Sequence, residues 1–231
     1  MNLVLTKDQI NELPLGAFPG TIHVVTRPSE AEPVLDLLEN EQFLGFDTET
    51  RPSFRKGQNH PVALIQLASK DHAGLFRISQ AGIPTRLKRV LQDRKIIKIA
   101  QEPAFELKKL YEEQHVLGQG FVDLSLISHK LHCSPRSLRA LAAIFLGIRI
   151  SKKAQTSNWE RPQITPQQEL YAATDAWVSR EVFTKMLDKR YISDYAEFMI
   201  TVNPEPPRRR TRRKGQVPGS RRSSSRRRPK I

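Results

Sequence analysis

The sequence predicts a mixed α/β sheet flanked by helices, and two observations lead there. Short β-rich apolar runs cluster between Thr21 and Ile78, and strand–helix units follow them, with no internal repeat. A third observation bounds the folded part. The chain carries a net charge of +14, and the stretch from Pro204 to Ile231 holds twelve Lys and Arg against the single Glu205. Residues 1–203 are therefore nearly balanced and are expected to form one domain. Residues 204–231, rich in proline and like charge and poor in apolar side chains, are expected to be a disordered Arg-rich tail.

The elements follow in order. Thr21 to Thr26 (TIHVVT) reads as a strand from its β-branched residues. Ser29 is expected to cap a helix to about Asn40, with Glu32 as capping-box partner. Phe43 to Phe46 is an apolar strand running into Asp47. Val62 to Ala68 and Ala73 to Ile78 read as two more strands, and Ile96 to Ala100 as a buried one. An amphipathic helix is expected from Pro103 to about Glu113, a short strand at Phe121, and a helix from Leu124 to His132. Ser137 is expected to cap a helix over Leu138 to Phe145 that stops at Gly147. The last helix is announced three times over: Thr165 as N-cap, Pro166 at the first helical position and Gln168 closing a capping box.

Composition narrows the function classes. Hydrophobic residues are 38% of the chain, enough for a core. The single cysteine, Cys133, cannot form an internal disulfide and suits a reducing compartment. No run has the length and apolarity of a signal peptide or a membrane span, so a soluble cytoplasmic protein is the expectation. Clustered arginines favour phosphate oxygens by charge and bidentate geometry, so the tail is expected to bind nucleic acid or other polyanions in a salt-sensitive way. A solvated solubility tail is the competing reading.

Three acidic stations recur along the chain. In FLGFDTET, Asp47 and Glu49 are two residues apart on a strand and share a face. Two carboxylates held so close repel and lose hydration, and a divalent cation relieves both penalties. On the last helix, Tyr171 and Asp175 are four apart and share a face, with small Ala172 and Ala173 between them to permit close packing. In the middle, Glu102 is placed to complement the helix dipole, and Glu106 lies further along. Each station alone equally describes ordinary surface acids.

Their order carries more. FLGFDTET, KIAQEPAFELKKL and SNWERPQITPQQELYAATDAW resemble the three motifs of the DEDD (DnaQ-like) 3′-5′ exonuclease superfamily, in its tyrosine-bearing branch, close to ribonuclease D and the Werner exonuclease. VDLSLISHKLH and SLRALAAIFLGI also match, and the resemblance spans roughly residues 20–190. It implies a ribonuclease-H-like fold with a mixed five- to six-stranded sheet. It also implies metal-dependent 3′-5′ hydrolysis of single-stranded 3′ ends, DNA or RNA, releasing nucleoside 5′-monophosphates. Asp47, Glu49 and Asp175 map onto direct ligands of two divalent cations, Mg²⁺ or Mn²⁺, and Glu106, the fourth expected metal residue, stands where the family usually has an Asp that often reaches the second metal through water. Tyr171 maps onto a residue that orients the attacking water, since a phenol is too weakly acidic to act readily as a base at neutral pH.

Glu106 departs from the pattern, which has Asp there. The charge is kept, but one methylene and one rotor are added. Altered metal preference or weakened chemistry is the consequence to look for, and a catalytically weakened or inactive nucleic-acid-binding module of the same fold is the alternative reading. His60, His115, His129 and His132 show no zinc-ligand spacing with Cys133. Trp159 is expected to anchor the loop before the last helix. Gln66 and Gln101 are each compatible with a site-facing or a purely structural role. Arg51, Arg55 and Lys56 are compatible with phosphate contacts or with a solvated loop.

Overall fold

A computed structural model describes residues 3–55 and 57–202; Lys56 and the Arg-rich segment 204–231 lie outside the described residues. In chain order the elements are α1 (Lys7–Glu12), β1 (Thr21–Val25), α2 (Pro28–Leu38), β2 (Phe43–Thr50), β3 (Val62–Ala68), β4 (His72–Phe76), α3 (Ile78–Ala81), α4 (Thr85–Gln92), β5 (Ile97–Ala100), α5 (Ala104–Gln114), β6 (Phe121–Asp123), α6 (Leu124–Lys130), α7 (Leu138–Leu141), α8 (Pro166–Asp188) and β7 (Met199–Ile200). The strands form one mixed sheet in the order β1-β4-β3-β2-β5-β6-β7. β2 sits in the middle, antiparallel to β3 and parallel to β5.

Among the described residues the sheet has seven strands, where five to six were expected. The last is a two-residue edge strand pairing Met199 with Val122 and Ile200 with Phe121. A pair of residues has too little pattern to read as a strand before its partner is known.

Other boundaries moved for local reasons. Glu30, not Glu32, closes the start of α2: its carboxylate accepts N–H bonds from Thr26 (2.8 Å) and Arg27 (3.1 Å). Pro28, rather than Ser29, begins that helix. β4 stops at Phe76, and Ile78 opens α3 instead of extending the strand. The helix capped by Ser137 is α-helical only to Leu141 and widens to a π-turn over Ala142–Leu146 before Gly147, which takes a left-handed φ of 69°. The capping box at Thr165, Pro166 and Gln168 forms as expected, with Gln168 N–H donating to Thr165 Oγ1 (3.2 Å) and Thr165 N–H to Gln168 Oε1 (3.1 Å).

Helices cover both faces. On one, Leu35, Leu38, Leu87, Leu91, Leu107 and Leu110 pack against Phe46, Ile65, Leu67 and Phe76. On the other, α8 packs through Ala172, Ala173 and Ala176 over Leu64 and Ala68, and through Val178, Val182 and Phe183 near Ile97 and Ile99. Lys98 on β5 is fully buried, its ammonium donating to the carbonyls of Val90 (3.0 Å), Asp93 (2.6 Å) and Ile96 (2.7 Å). It ties the end of α4 to the sheet, because three N–H donors meet three backbone acceptors.

Candidate active site

Strand alternation puts Gly45, Asp47 and Glu49 on the face of β2 that α8 crosses. Gly45 is the crossing point. A β-carbon there would lie 1.7 Å from the carbonyl oxygen of Ala176. Only glycine lets the helix backbone rest on the strand. Asp175, one residue before Ala176, is thereby delivered beside the strand acids. One oxygen from each of Asp47, Glu49 and Asp175 lies within 4.8 Å of the others. Among the described residues these three form the one group of three or more His, Cys, Asp or Glu side chains placed to hold a metal ion.

The electrostatics of the group are those of acids crowded out of water. Burial, and then the neighbouring Asp175, push the Asp47 carboxyl well above the ordinary range, against one N–H bond from Thr48 (2.9 Å). Burial, then Asp47 and Asp175, push Glu49 up to about 10. Burial pushes Asp175 up to about 7, and the Tyr171 hydroxyl, donating to its carboxylate, holds it down. Tyr171 itself is pushed up, first by burial and then by the charges of Asp175 and Glu49. It stays a phenol, a donor rather than a base. Among the described residues no Lys or Arg pairs with Asp47, Glu49 or Asp175. Three uncompensated carboxylates, all-oxygen and partly buried, fit a hard divalent cation such as Mg²⁺ or Mn²⁺.

A 3′-5′ exonuclease family model matches residues 22–190. The chain belongs to the 3′-5′ exonuclease family. It is 32% identical over 186 residues to the bifunctional 3′-5′ exonuclease/ATP-dependent helicase WRN of Mus musculus, a match covering 76% of this chain and 13% of that protein. The fold is similar to the Aedes aegypti Nibbler EXO domain, with a TM-score of 0.68 at 19% identity over 75% of this chain and 92% of that one. It is also similar to Escherichia coli RNase D, with a TM-score of 0.64 at 17% identity over 74% of this chain and 47% of that one. The chain spans about half or less of the length of the first curated relatives it matches.

In this exonuclease-family domain Glu106 stands apart from the other acids. It occupies the first turn of α5, outside the three-oxygen cluster, yet close enough that its charge raises Asp47. Its Oε2 is buried with no hydrogen-bond partner, and burial pushes its carboxyl up. Glu102 lies near the start of α5, as expected, one residue ahead of the N-cap Pro103. The helix opens at Ala104, and Glu102 precedes it in a left-handed backbone conformation, φ 54°. Asp123 holds that bend: its carboxylate accepts from the N–H groups of Glu102 (3.1 Å) and Ser125 (2.7 Å). Gln101 donates to the Arg136 carbonyl (3.1 Å) and so braces the same region.

The remaining expectations divide. Trp159 is buried, 1% exposed, with its ring centroid 6.1 Å from that of Tyr171, so it anchors the loop. Arg77 holds this loop from beneath, donating to the carbonyls of Pro162 (2.6 Å) and Arg161. Arg51 pairs with Glu160 (3.5 Å), as does His60 (3.6 Å). A cavity of about 110 Å³ opens beside Tyr171 and Asp175, bordered by Arg139, Lys152 and Gln155. An adjoining depression shares Ser137, Arg139 and Lys152 with it and reaches Lys7. Sequence reasoning missed Gly45, Arg77 and Asp123. The signal for Gly45 was present, since glycine inside a strand marks close backbone approach. Arg77 carried no local sign of its partners, whereas Asp123, directly before α6, carried the sign of an N-cap to Ser125 but none of its bond to Glu102.

Proposed function

We propose that this protein hydrolyses nucleic acid from its 3′ end and releases nucleoside 5′-monophosphates. The observation that carries this is the cluster of Asp47, Glu49 and Asp175 with the Tyr171 hydroxyl directed at it. In the reaction a water oxygen bonds to phosphorus, the bond from phosphorus to the 3′-oxygen breaks, and the 3′-oxygen gains a proton. Asp47, Glu49 and Asp175 would hold Mg²⁺ or Mn²⁺, two ions in our reading. Such ions supply an acidified water and neutralise charge building on the phosphate. Tyr171 orients the attacking water as a neutral donor. Arg139 and Lys152, bordering the cavity beside Asp175, supply charge for the phosphates of the incoming strand. The Arg-rich segment 204–231 adds nonspecific affinity for polyanions. We assign the domain to residues 1–203 and expect it in the cytoplasm.

The test is a 5′-labelled single-stranded oligonucleotide, DNA and RNA side by side, incubated with Mg²⁺ or Mn²⁺. A ladder shortening from the 3′ end, absent in Asp47→Ala and Asp175→Ala, is the expected result. Tight binding with no degradation by either ion would reject hydrolysis. It would leave a second reading, a nucleic-acid-binding module of the same fold, which draws on Glu106 standing outside the cluster with an unpartnered oxygen.

A further inference from the structure

Gln66 lies on β3 directly opposite Asp47 in the antiparallel register of β2 and β3. Side chains of residues paired across antiparallel strands project to the same face, with β-carbons in reach of one another. Gln66 therefore shares the face of Asp47 and Glu49, beneath α8. Its neighbours on that face of β3, Leu64 and Ala68, pack with Ala172, Ala173 and Ala176, and its partner across β4 is Leu75. These neighbours are apolar, and Asp47 is the ionisable residue facing Gln66 in register. Gln66 is fully buried, and neither its amide nitrogen nor its amide oxygen has a hydrogen-bond partner. A carboxamide brings two donors and an acceptor to a place that an apolar chain of the same size would fill without loss. Asp47, for its part, accepts on Oδ1 from Thr48 N–H, the one hydrogen bond to its carboxylate among the described residues. Its second oxygen is left for other partners.

We infer that Gln66 is a positioning residue for Asp47: its amide N–H donates to the Asp47 carboxylate when that carboxylate is engaged by a cation, and so fixes the orientation in which Asp47 binds. The inference rests on the metal-dependent reading of the site. Ligating carboxylates are themselves held by outer hydrogen bonds, whose loss weakens metal affinity by about 10- to 100-fold. A carboxylate is also a stronger acceptor than a neutral group, which makes it the natural partner for an otherwise unpaired amide.

The test compares the 231-residue chain with Gln66→Met, which keeps length and loses both polar atoms. Mn²⁺ affinity is read by titration calorimetry and Tm in EDTA by scanning calorimetry. The expected result is Mn²⁺ binding weaker by about tenfold or more, with Tm in EDTA equal to or above the parent. Unchanged Mn²⁺ affinity would overturn the inference, as would a fall in affinity matched by a fall in Tm, the mark of a packing residue. Gln66→Leu repeats the comparison with a different apolar shape. Affinity lost in one variant and kept in the other would also overturn it, since neither can donate. A parent that binds no Mn²⁺ would overturn the metal reading and this inference with it, whereas a parent that binds beside unchanged variants overturns this inference alone.

Discussion

The carbonyl of Ala176 rests against Gly45 so closely that a β-carbon on residue 45 would sit 1.7 Å from its oxygen. That contact sets the distance between α8 and β2, and with it the distance of Asp175 from Asp47 and Glu49. Gly45→Ala puts side chain against backbone, where nothing flexible can yield. Overpacking of this kind costs about 3 kcal/mol, a fall in Tm of roughly 6–12 °C for a domain of this size. Exonuclease activity at a temperature where the variant is still folded should fall further than stability does, because the acids separate. A variant with normal Tm and normal activity would show that the helix is not held by this contact.

The acid cluster makes metal-free stability depend on pH. A carboxyl whose folded pKa lies above its unfolded value binds more protons in the folded chain. Its stabilisation is present below the unfolded value, near 4, and is lost as pH rises through the folded one. Asp175 at about 7 and Glu49 at about 10 place that loss above pH 4 and through the neutral range. In EDTA, Tm should fall from pH 5 to pH 8. Mg²⁺ or Mn²⁺ should restore it more at pH 8 than at pH 5, since binding needs the deprotonated acids. Asp175→Asn should flatten the slope in EDTA and abolish the metal effect. An unchanged slope in that variant would assign the pH dependence elsewhere.

Glu106 reaches Asp47 by charge but stands outside the cluster. Glu106→Ala should lower turnover by about 10- to 100-fold, the range for an outer partner of a metal site. Mn²⁺ affinity at the three acids should change far less. Glu106→Asp should shift the ratio of Mg²⁺- to Mn²⁺-supported rates. A Glu106→Ala variant with parental turnover would remove this residue from the machinery.

Arg77 donates to the carbonyls of Pro162 and Arg161 from a position only 2% exposed. Arg77→Leu takes the charged donor from both carbonyls, though Gln80 still donates to that of Pro162 (2.8 Å), and should cost about 1–3 kcal/mol. The loop bearing Trp159 should loosen, read as faster amide exchange over residues 157–164. Protection equal to the parent's would show that Arg77 does not hold the loop.

Removing residues 204–231 takes away +11 of charge. Binding of a single-stranded oligonucleotide at low salt should weaken, and the slope of log K against log salt should become shallower. Turnover at saturating substrate should stay the same. Equal slopes for the full and shortened chains would reject a role for this segment in binding.

Much of the site was legible in the chain itself. Asp47 and Glu49 share a face because strands alternate, and Tyr171 and Asp175 share one because helices repeat near every fourth residue. Those periods belong to the backbone and hold wherever the element ends up. The start of α8 was equally plain, since Thr165, Pro166 and Gln168 act within one turn. Less legible were features whose partners lie far along the chain: Arg77 under residues 161 and 162, Asp123 holding the bend at Glu102, and the two-residue β7 that exists only as a partner of β6.

By itself the sequence determined which side chains stand together on each element, and that three acidic stations exist in this order. The tertiary structure decided which stations meet. Gly45 and the alanines of α8 bring Asp175 to the strand pair, whereas Glu106, on a helix that packs against the opposite face, stays just outside. The reason is physical. Facing follows from local backbone geometry, but meeting depends on how closely two backbones approach, and that is set by the atoms missing from one glycine.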